Sequence, residues 1–481
     1  MKNNLDSSPK NSLWHMLSQQ HDCSRKGNRM KRRNFIGGAI AAGISSAASS
    51  LGEPIARQSA YQMGTFNALP AKIAGLSMKE LLAAYRDRLF KQYLPFWEKG
   101  GYDRENGGFM CYLYDDGRVE NDQKDIWYQS RGIWVYAFLY NYIDKNPKWL
   151  EMARKSRDFM VKYMQRGDGT WLQAVSRAGK PVESIGQGNT DDIYGAMFSA
   201  GGLIQLYKAT GNEEDLKLAK LSILKSVERY EKSDYTGAQL RGVNQTGLRS
   251  QGHSFMMAWV LPQLLEFHKD PRMDELAREH LDHILNHFWN NDYGISNETM
   301  YHNYTRIPEL AATTSPGHTV ETQWMAMSEA LREKNHAAFN TLKDRARRMI
   351  ELSWDYIFGG MGDSRYYVFD TKEHAAGAAW DMKTMWAQCE ILVASMMTLE
   401  YTGDVWAAEW YERAREWTYR VMSTDSGVFR QAVDRYGVNK VRPGIPETRR
   451  DNFHEPRYYM MNILSLERMI RNKGKLTPLP T

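Results

Sequence analysis

From Ser77 onward the apolar residues fall at i, i+3, i+4 and i+7, as in Leu81, Leu82, Tyr85 and Leu89, which predicts an amphipathic helix. Eleven further segments carry the same period, near 125–144, 148–165, 190–209, 213–231, 252–268, 272–289, 318–332, 337–356, 379–401, 404–422 and 455–471. Four of the connections are brief: Asn146-Pro147, Thr210-Gly211-Asn212, Asp270-Pro271 and Thr402-Gly403-Asp404 supply the caps and turn residues that close helical hairpins. The segments 101–124, 232–250, 290–316, 357–377 and 424–452 are instead long and rich in Gly, Tyr and Asp. Some of them hold short hairpin strands, such as Gly108 to Tyr114 ahead of Asp115-Asp116-Gly117. About twelve helices paired into about six hairpins predict an all-α fold, an (α/α)6 barrel whose long loops gather at one mouth around a pocket. An open solenoid of the tetratricopeptide kind would need one fixed period and short loops throughout, and loops of about 20 residues argue against it.

The first 76 residues follow a different pattern. A polar extension over 1–29 precedes Met30-Lys31-Arg32-Arg33-Asn34-Phe35 and a mildly apolar run from Ile36 to Ala48, which is the layout of a signal peptide over 30–56. The Arg-Arg-x-Phe core resembles a twin-arginine export signal, so the expected location is periplasmic or extracellular. Met30 is a candidate for the true start. Residues 57–76 read as a linker, 77–472 as the barrel and 473–481 as a tail. No stretch approaches the ~18 uninterrupted apolar residues of a stable membrane span.

Composition narrows the function classes. Of 481 residues, 42% are hydrophobic and 25% charged, so a large core is affordable and disorder is not the default. The net charge of +6 is dispersed, with its densest run in the leader, which argues against nucleic-acid binding. Cys23, Cys111 and Cys389 are too far apart to form a disulfide framework or a Cys-x-x-Cys metal site. Zinc-helix, calcium-loop, phosphate-loop and dinucleotide motifs are also missing, so a reaction without cofactor is expected.

Three histidines open predicted inner helices directly after long loops: His253, His318 and His454. In Ser315-Pro316-Gly317-His318, Pro-Gly leads the backbone into the helix, and Glu321 follows one turn later, where a carboxylate could fix the imidazole tautomer or simply cap the helix. In Phe453-His454-Glu455-Pro456-Arg457 the arginine could bind a sugar hydroxyl or an oxyanion, or lie on the surface. For His253 the bland structural reading is the stronger one. Aromatic residues on predicted inner helices, among them Trp127, Tyr128, Trp134, Trp324 and Trp386, suit either sugar stacking or core packing.

Four segments together resemble the N-acylglucosamine 2-epimerase family, which includes cellobiose and mannobiose 2-epimerases and aldose-ketose isomerases. They are Gly107-Gly108-Phe109 with Lys124 to Arg131, Pro316-Gly317-His318 with Glu321 and Trp324, Lys383 to Glu390, and Phe453-His454-Glu455-Pro456-Arg457. The resemblance covers roughly 77–472. It implies an (α/α)6 barrel in which His318 and His454 exchange protons at C2 of an aldose, with His253 as a weaker third catalytic candidate. It further implies substrate contacts from Arg131, Tyr128, Glu321, Trp324, Lys383, Trp386, Gln388 and Arg457, with Lys383, Arg131 or Arg457 on the developing oxyanion. The chain departs from the family pattern in three places. No glutamate follows His253, Met385 stands where tryptophan is usual, and 191–198 lack the histidine of some isomerases. Gln388 is the variant that disaccharide epimerases carry.

The expected function is therefore C2 epimerisation of a free or reducing-end sugar, with a mono- or disaccharide as partner and a monomer or homodimer as the unit. Three alternatives stand beside it: an aldose-ketose isomerase on the same site, an (α/α)6 glycoside hydrolase or lyase using a carboxylate pair such as Asp192 and Asp381, and an exported sugar-binding protein without turnover.

Overall fold

The computed structural model describes residues 64–66, 68–184, 193–237, 239–240, 243–362, 367–369, 375–376, 381–440 and 447–480. The extension over 1–29, the signal segment over 30–56 and Asp192 lie outside the described residues.

Among the described residues twelve principal helices are present, each where the periodicity predicts one. They are α1 (Met78–Asp87), α2 (Ile126–Phe138), α3 (Pro147–Met164), α4 (Tyr194–Thr210), α5 (Glu213–Tyr230) and α6 (Gln251–Leu265), followed by α7 (Pro271–Asp282), α8 (Pro316–Arg332), α9 (His336–Ser353), α10 (Met385–Thr402), α11 (Val405–Met422) and α12 (His454–Arg471). Past Asp87, Phe138 and Asp282 the coil continues in wider i→i+5 turns.

Local chemistry sets their ends. Ser77 and Glu80 form a reciprocal capping box on α1, while Asn146, Asn212 and Asp270 accept backbone N–H groups at the starts of α3, α5 and α7. Gly211 and Gly403 close α4 and α10 at φ of 70° and 67°, a left-handed conformation that glycine adopts without steric cost.

Burial sorts the helices into two rings. In α2 twelve of thirteen residues are buried, whereas α3 buries eight of eighteen along one stripe. The even-numbered helices form the inner ring, each packed on the next, and the odd-numbered helices α3 to α11 lie outside, each packed on the inner helix before it. The sixth pair joins the chain's ends: α1 packs on α12, with Tyr85 edge-on to Tyr458 at 5.4 Å. Residues expected to be linker and tail are stitched into this closure. Ile73 and Leu69 are buried, Leu69 N–H donates to the Gly474 carbonyl (2.8 Å), and Thr477 N–H to that of Glu400 (3.0 Å). The short strands pair as small antiparallel ribbons in the loops, most of them ahead of the inner helices and one, at 72–77, ahead of α1.

Candidate active site

The first turns of the six inner helices meet at the loop-bearing mouth. Trp127 of α2 touches Tyr194 of α4 (ring centroids 5.5 Å apart), and Tyr194 faces Phe255 of α6 (6.3 Å). Phe255 packs on His318 of α8 (5.4 Å), His318 on Trp386 of α10 (5.1 Å), and Trp386 on His454 of α12 (5.5 Å). Arg131 of α2 closes the circle, with Nη1 3.5 Å from the carboxylate of Asp451. Six helix N-termini therefore direct their positive ends at one small volume, an electrostatic setting that favours an anion. Gly317 explains the Pro-Gly-His sequence. A Cβ there would lie 2.5 Å from the Trp386 ring, so only glycine lets the indole lie beside His318.

Each histidine of the predicted pair has Nδ1 on a carboxylate. His454 Nδ1 is 2.8 Å from Asp451 Oδ2, and His318 Nδ1 is 2.9 Å from Glu298 Oε1. A carboxylate can only accept, so Nδ1 carries the proton and Nε2 carries the lone pair. Asp451 also accepts the backbone N–H groups of Phe453 and His454 (2.7 and 2.8 Å), and its own N–H donates to Gln431. Burial alone would raise its pKa, yet His454, Arg131 and these bonds together hold it far below the usual carboxylate range.

Glu321 is not the partner of His318 that spacing suggested. One turn of helix carries it past His318 to the other histidine. Its Oε1 lies 3.8 Å from His454 Nε2 and accepts from Arg457 (2.7 Å). Arg457 also donates to Glu390 (2.6 Å), whose second oxygen accepts the Trp324 indole N–H (2.6 Å). Burial raises the pKa of Glu390. For Glu321 the opposing charges of Arg457, His454 and His318 outweigh burial and lower it. Trp324 and Arg457 are thus placed beneath the site, and Trp386 between its histidines. Glu321, Glu390 and His454 offer ligand atoms within 4.8 Å of one another, the one such metal-compatible group among the described residues. Because the Arg457 guanidinium already bridges the two carboxylates, a divalent cation would have to displace it.

Three of the expected substrate contacts, Lys383, Gln388 and Tyr128, are engaged elsewhere in the fold. Lys383 is fully buried, and its ammonium donates to Asp355 (3.0 Å) and to the carbonyls of Gly359 and Arg435, which uses all three of its protons. Gln388 is also fully buried, exchanging bonds with the Met361 backbone (2.9 and 2.8 Å). Both belong to a repeated clamp, since Lys124 grips Asp103, Gly107 and Arg177 in the same way, and Gln129 grips Phe109. Tyr128 is buried in a cluster with Cys111 and Tyr112, under the Arg449 guanidinium (5.1 Å).

The three ring neighbours closest to His253 are Tyr230 (5.2 Å), Tyr235 (5.3 Å) and Tyr194 (6.2 Å), none of which touches Trp386. Burial pushes its pKa down to about 3, so it is neutral at physiological pH. Asp381, half of the carboxylate pair weighed for a hydrolase, is ion-paired with Lys440 at 2.7 Å. A cavity of about 980 Å³ opens beside the site. Its walls include Gln431 and Arg449 but neither histidine.

Sequence reasoning missed Asp451 and Glu298, and quoted Glu390 within a motif without giving it a role. For Asp451 a signal existed in its position three residues before a helix-opening histidine, which is cap spacing. Glu298 sits on a loop twenty residues from His318 and carries no local signal.

The family model described as N-acylglucosamine 2-epimerase matches residues 107–455. The human N-acylglucosamine 2-epimerase is 23% identical over 367 residues, 73% of this chain and 83% of that protein. A cellobiose 2-epimerase from Dictyoglomus turgidum is 29% identical over 161 residues, 33% of this chain and 39% of its own length. Among solved structures, cellobiose 2-epimerase from Bacillus thermoamylovorans superposes with a TM-score of 0.67 at 17% identity, covering 80% of this chain and 99% of its own.

Proposed function

The chain belongs to the N-acylglucosamine 2-epimerase family, and on that premise we propose that it is a sugar 2-epimerase in which His318 and His454 are the acid and base. The observation that carries this reading is the matched pair of histidines beside Trp386, each with Nδ1 on a carboxylate. An open-chain aldose has a carbonyl at C1 that acidifies the C2 proton. The Nε2 lone pair of one histidine removes that proton, leaving a planar enediolate. The other histidine, as imidazolium, delivers a proton to the opposite face, which inverts C2 and leaves the pair ready for the reverse direction.

The charge that develops on O1 meets Arg131, whose guanidinium lies 3.5 Å from the Asp451 carboxylate and over the Phe198 ring at 4.1 Å. The converging helix ends add to this stabilisation. Glu321 stabilises the imidazolium of His454, and Arg457 and Glu390 hold Glu321 in place. We assign the first proton abstraction from the natural epimer to His454 because two carboxylates flank its ring. The twin-arginine pattern supports export, which would bring the enzyme together with a glycan-derived mono- or disaccharide outside the cytoplasm.

The test is proton NMR of the purified chain in deuterated water with cellobiose, mannobiose, mannose, glucose and N-acetylglucosamine. Deuterium at C2 together with the epimer is the expected result, and deuterium at C1 with a ketose would instead make the enzyme an isomerase. His318→Asn and His454→Asn should each abolish exchange in a folded protein. Turnover retained by either variant rejects the pair.

A further inference from the structure

The cavity beside the histidines has in its wall a buried positive charge that meets no carboxylate. Arg449 is 8% exposed, and its guanidinium lies over the Tyr128 ring at 5.1 Å. Among the described residues it forms no ion pair, and its buried Nε has no hydrogen-bond partner. Asp125, whose charge acts on it from behind, is committed elsewhere. It accepts from the Trp127 N–H (2.9 Å), the Ser184 hydroxyl (3.1 Å) and the Gln173 amide (3.3 Å). The backbone of Arg449 is pinned from both sides, because Leu113 N–H donates to the Thr448 carbonyl (2.7 Å) and Arg450 N–H to that of Cys111 (2.8 Å). A guanidinium that is buried, fixed in place and unmatched costs free energy unless an anion meets it.

The other charges of the cavity wall cancel. Lys91 pairs with Asp87 (2.8 Å), Lys440 with Asp381 (2.7 Å), Asp116 with Arg118 (2.6 Å) and Arg450 with Asp115. Lys99, Arg430, Asp425 and Glu447 form no ion pair among the described residues, and as two cations and two anions they sum to zero. Three of these four are exposed and Arg430 is half-buried, so water and salt screen them, whereas Arg449 is screened by neither. The cavity also shares a wall with the proton path. Gln431 lines it and accepts the Asp451 N–H (2.9 Å), and Asp451 holds His454. Its volume of about 980 Å³ is near the top of the ~300–1,000 Å³ usual for ligand pockets, which leaves room for a sugar ring besides the one that reacts. Neither histidine lines it, so a ring lying there is not the ring that loses its C2 proton.

We propose that this cavity binds the sugar residue next to the reacting one and that Arg449 recognises an anionic group on it, a carboxylate or a sulfate, so that the substrate is an acidic oligosaccharide. The proposal rests on the epimerase reading for what happens at the histidines, and on the cavity alone for the anion. The planar guanidinium offers two parallel N–H groups to the two oxygens of a carboxylate, and the Tyr128 ring against it restricts its rotation. Because Arg449 stands five residues before His454 on the segment that carries Asp451, an anion bound there fixes where the neighbouring ring enters the site.

The probes are cellobiose and cellobiouronic acid, the same disaccharide with the terminal CH₂OH of its non-reducing residue oxidised to a carboxylate. Binding to the full chain is measured by titration calorimetry, and C2 deuterium exchange by NMR is followed in parallel. The acid is expected to bind at least tenfold more tightly than cellobiose, and Arg449→Gln to bring the two within about twofold. Should that variant lose its fold, the methyl ester of the acid decides in the wild type, since it keeps the size of the group and removes its charge and must bind like cellobiose. Cellobiose sulfated at the same position separates the two anions, and the tighter of the pair names the natural group. Equal binding of acid and cellobiose, binding of neither, or a preference that survives in the ester or in Arg449→Gln overturns the proposal. Tight binding of the acid with no deuterium at C2 upholds Arg449 as the anion site and refutes the epimerase reading, whereas C2 exchange in neutral sugars with no preference for the acid does the reverse.

Discussion

The Asp451→Asn variant tests the proposed chemistry at one oxygen atom. Asn keeps the size of the side chain and its Oδ1, so the bonds from the Phe453 and His454 backbone N–H groups (2.7 and 2.8 Å) persist and α12 still starts correctly. What changes is the 2.8 Å contact with His454 Nδ1, where an amide N–H replaces an accepting oxygen. Nδ1 must then accept, its proton moves to Nε2, and the lone pair that would take the C2 proton is gone. Loss of a charge-assisted hydrogen bond costs about 1.5–3 kcal/mol, or roughly ten- to 150-fold in rate. The wrong tautomer adds to this, and in a Ser-His-Asp triad the same exchange costs ~10⁴-fold. A fall in kcat of between about 10² and 10⁴ is therefore expected, with KM nearly unchanged because sugar hydroxyl contacts remain. The assay is deuterium exchange at C2 followed by NMR under saturating sugar, alongside circular dichroism and a thermal melt. If kcat stays within about threefold of wild type in a folded protein, His454 does not work through Asp451 and the proposed proton path is wrong.

Glu298→Gln should act in the same way on His318, lowering kcat by about tenfold or more and shifting the pH–rate profile, whereas a purely structural glutamate would move the melt and leave the profile alone. Lys383→Met separates clamp from catalysis: it leaves Asp355 with Arg435 as its remaining cation and should cost about 3 kcal/mol in urea unfolding, with KM changed little. His253 gives a pH signature. Its folded pKa of about 3 lies below the unfolded value near 6.5, so between these values the unfolded chain binds the extra proton and stability falls as pH drops. From pH 7 to pH 5 the wild type should lose roughly 2 kcal/mol more than His253→Phe, measured by urea midpoints, and equal losses would show that the histidine is not buried neutral.

Much of the fold was legible because periodicity is a local property. All twelve helices, the four short joints and the barrel follow from apolar spacing and from caps such as Asn146 and Gly211, since a helix that must bury one face writes that face into its own sequence. His318 and His454 were legible for a related reason, as each opens a helix directly after a long loop, and loops that enter an inner ring gather at one mouth. The partners of those histidines were not. Asp451 is local to His454, but Glu298 reaches His318 from a loop, and Glu321 turns from the histidine on its own helix to the one on α12. Lys383 and Gln388 were expected in the pocket because the family resemblance implied it. In space they point the other way, into a clamp whose opposite member lies 28 residues upstream of the lysine. A sequence determines which faces of its helices are apolar and where each helix starts. Which side chain meets which across the mouth depends on how six helix starts converge, and only the closed ring decides that.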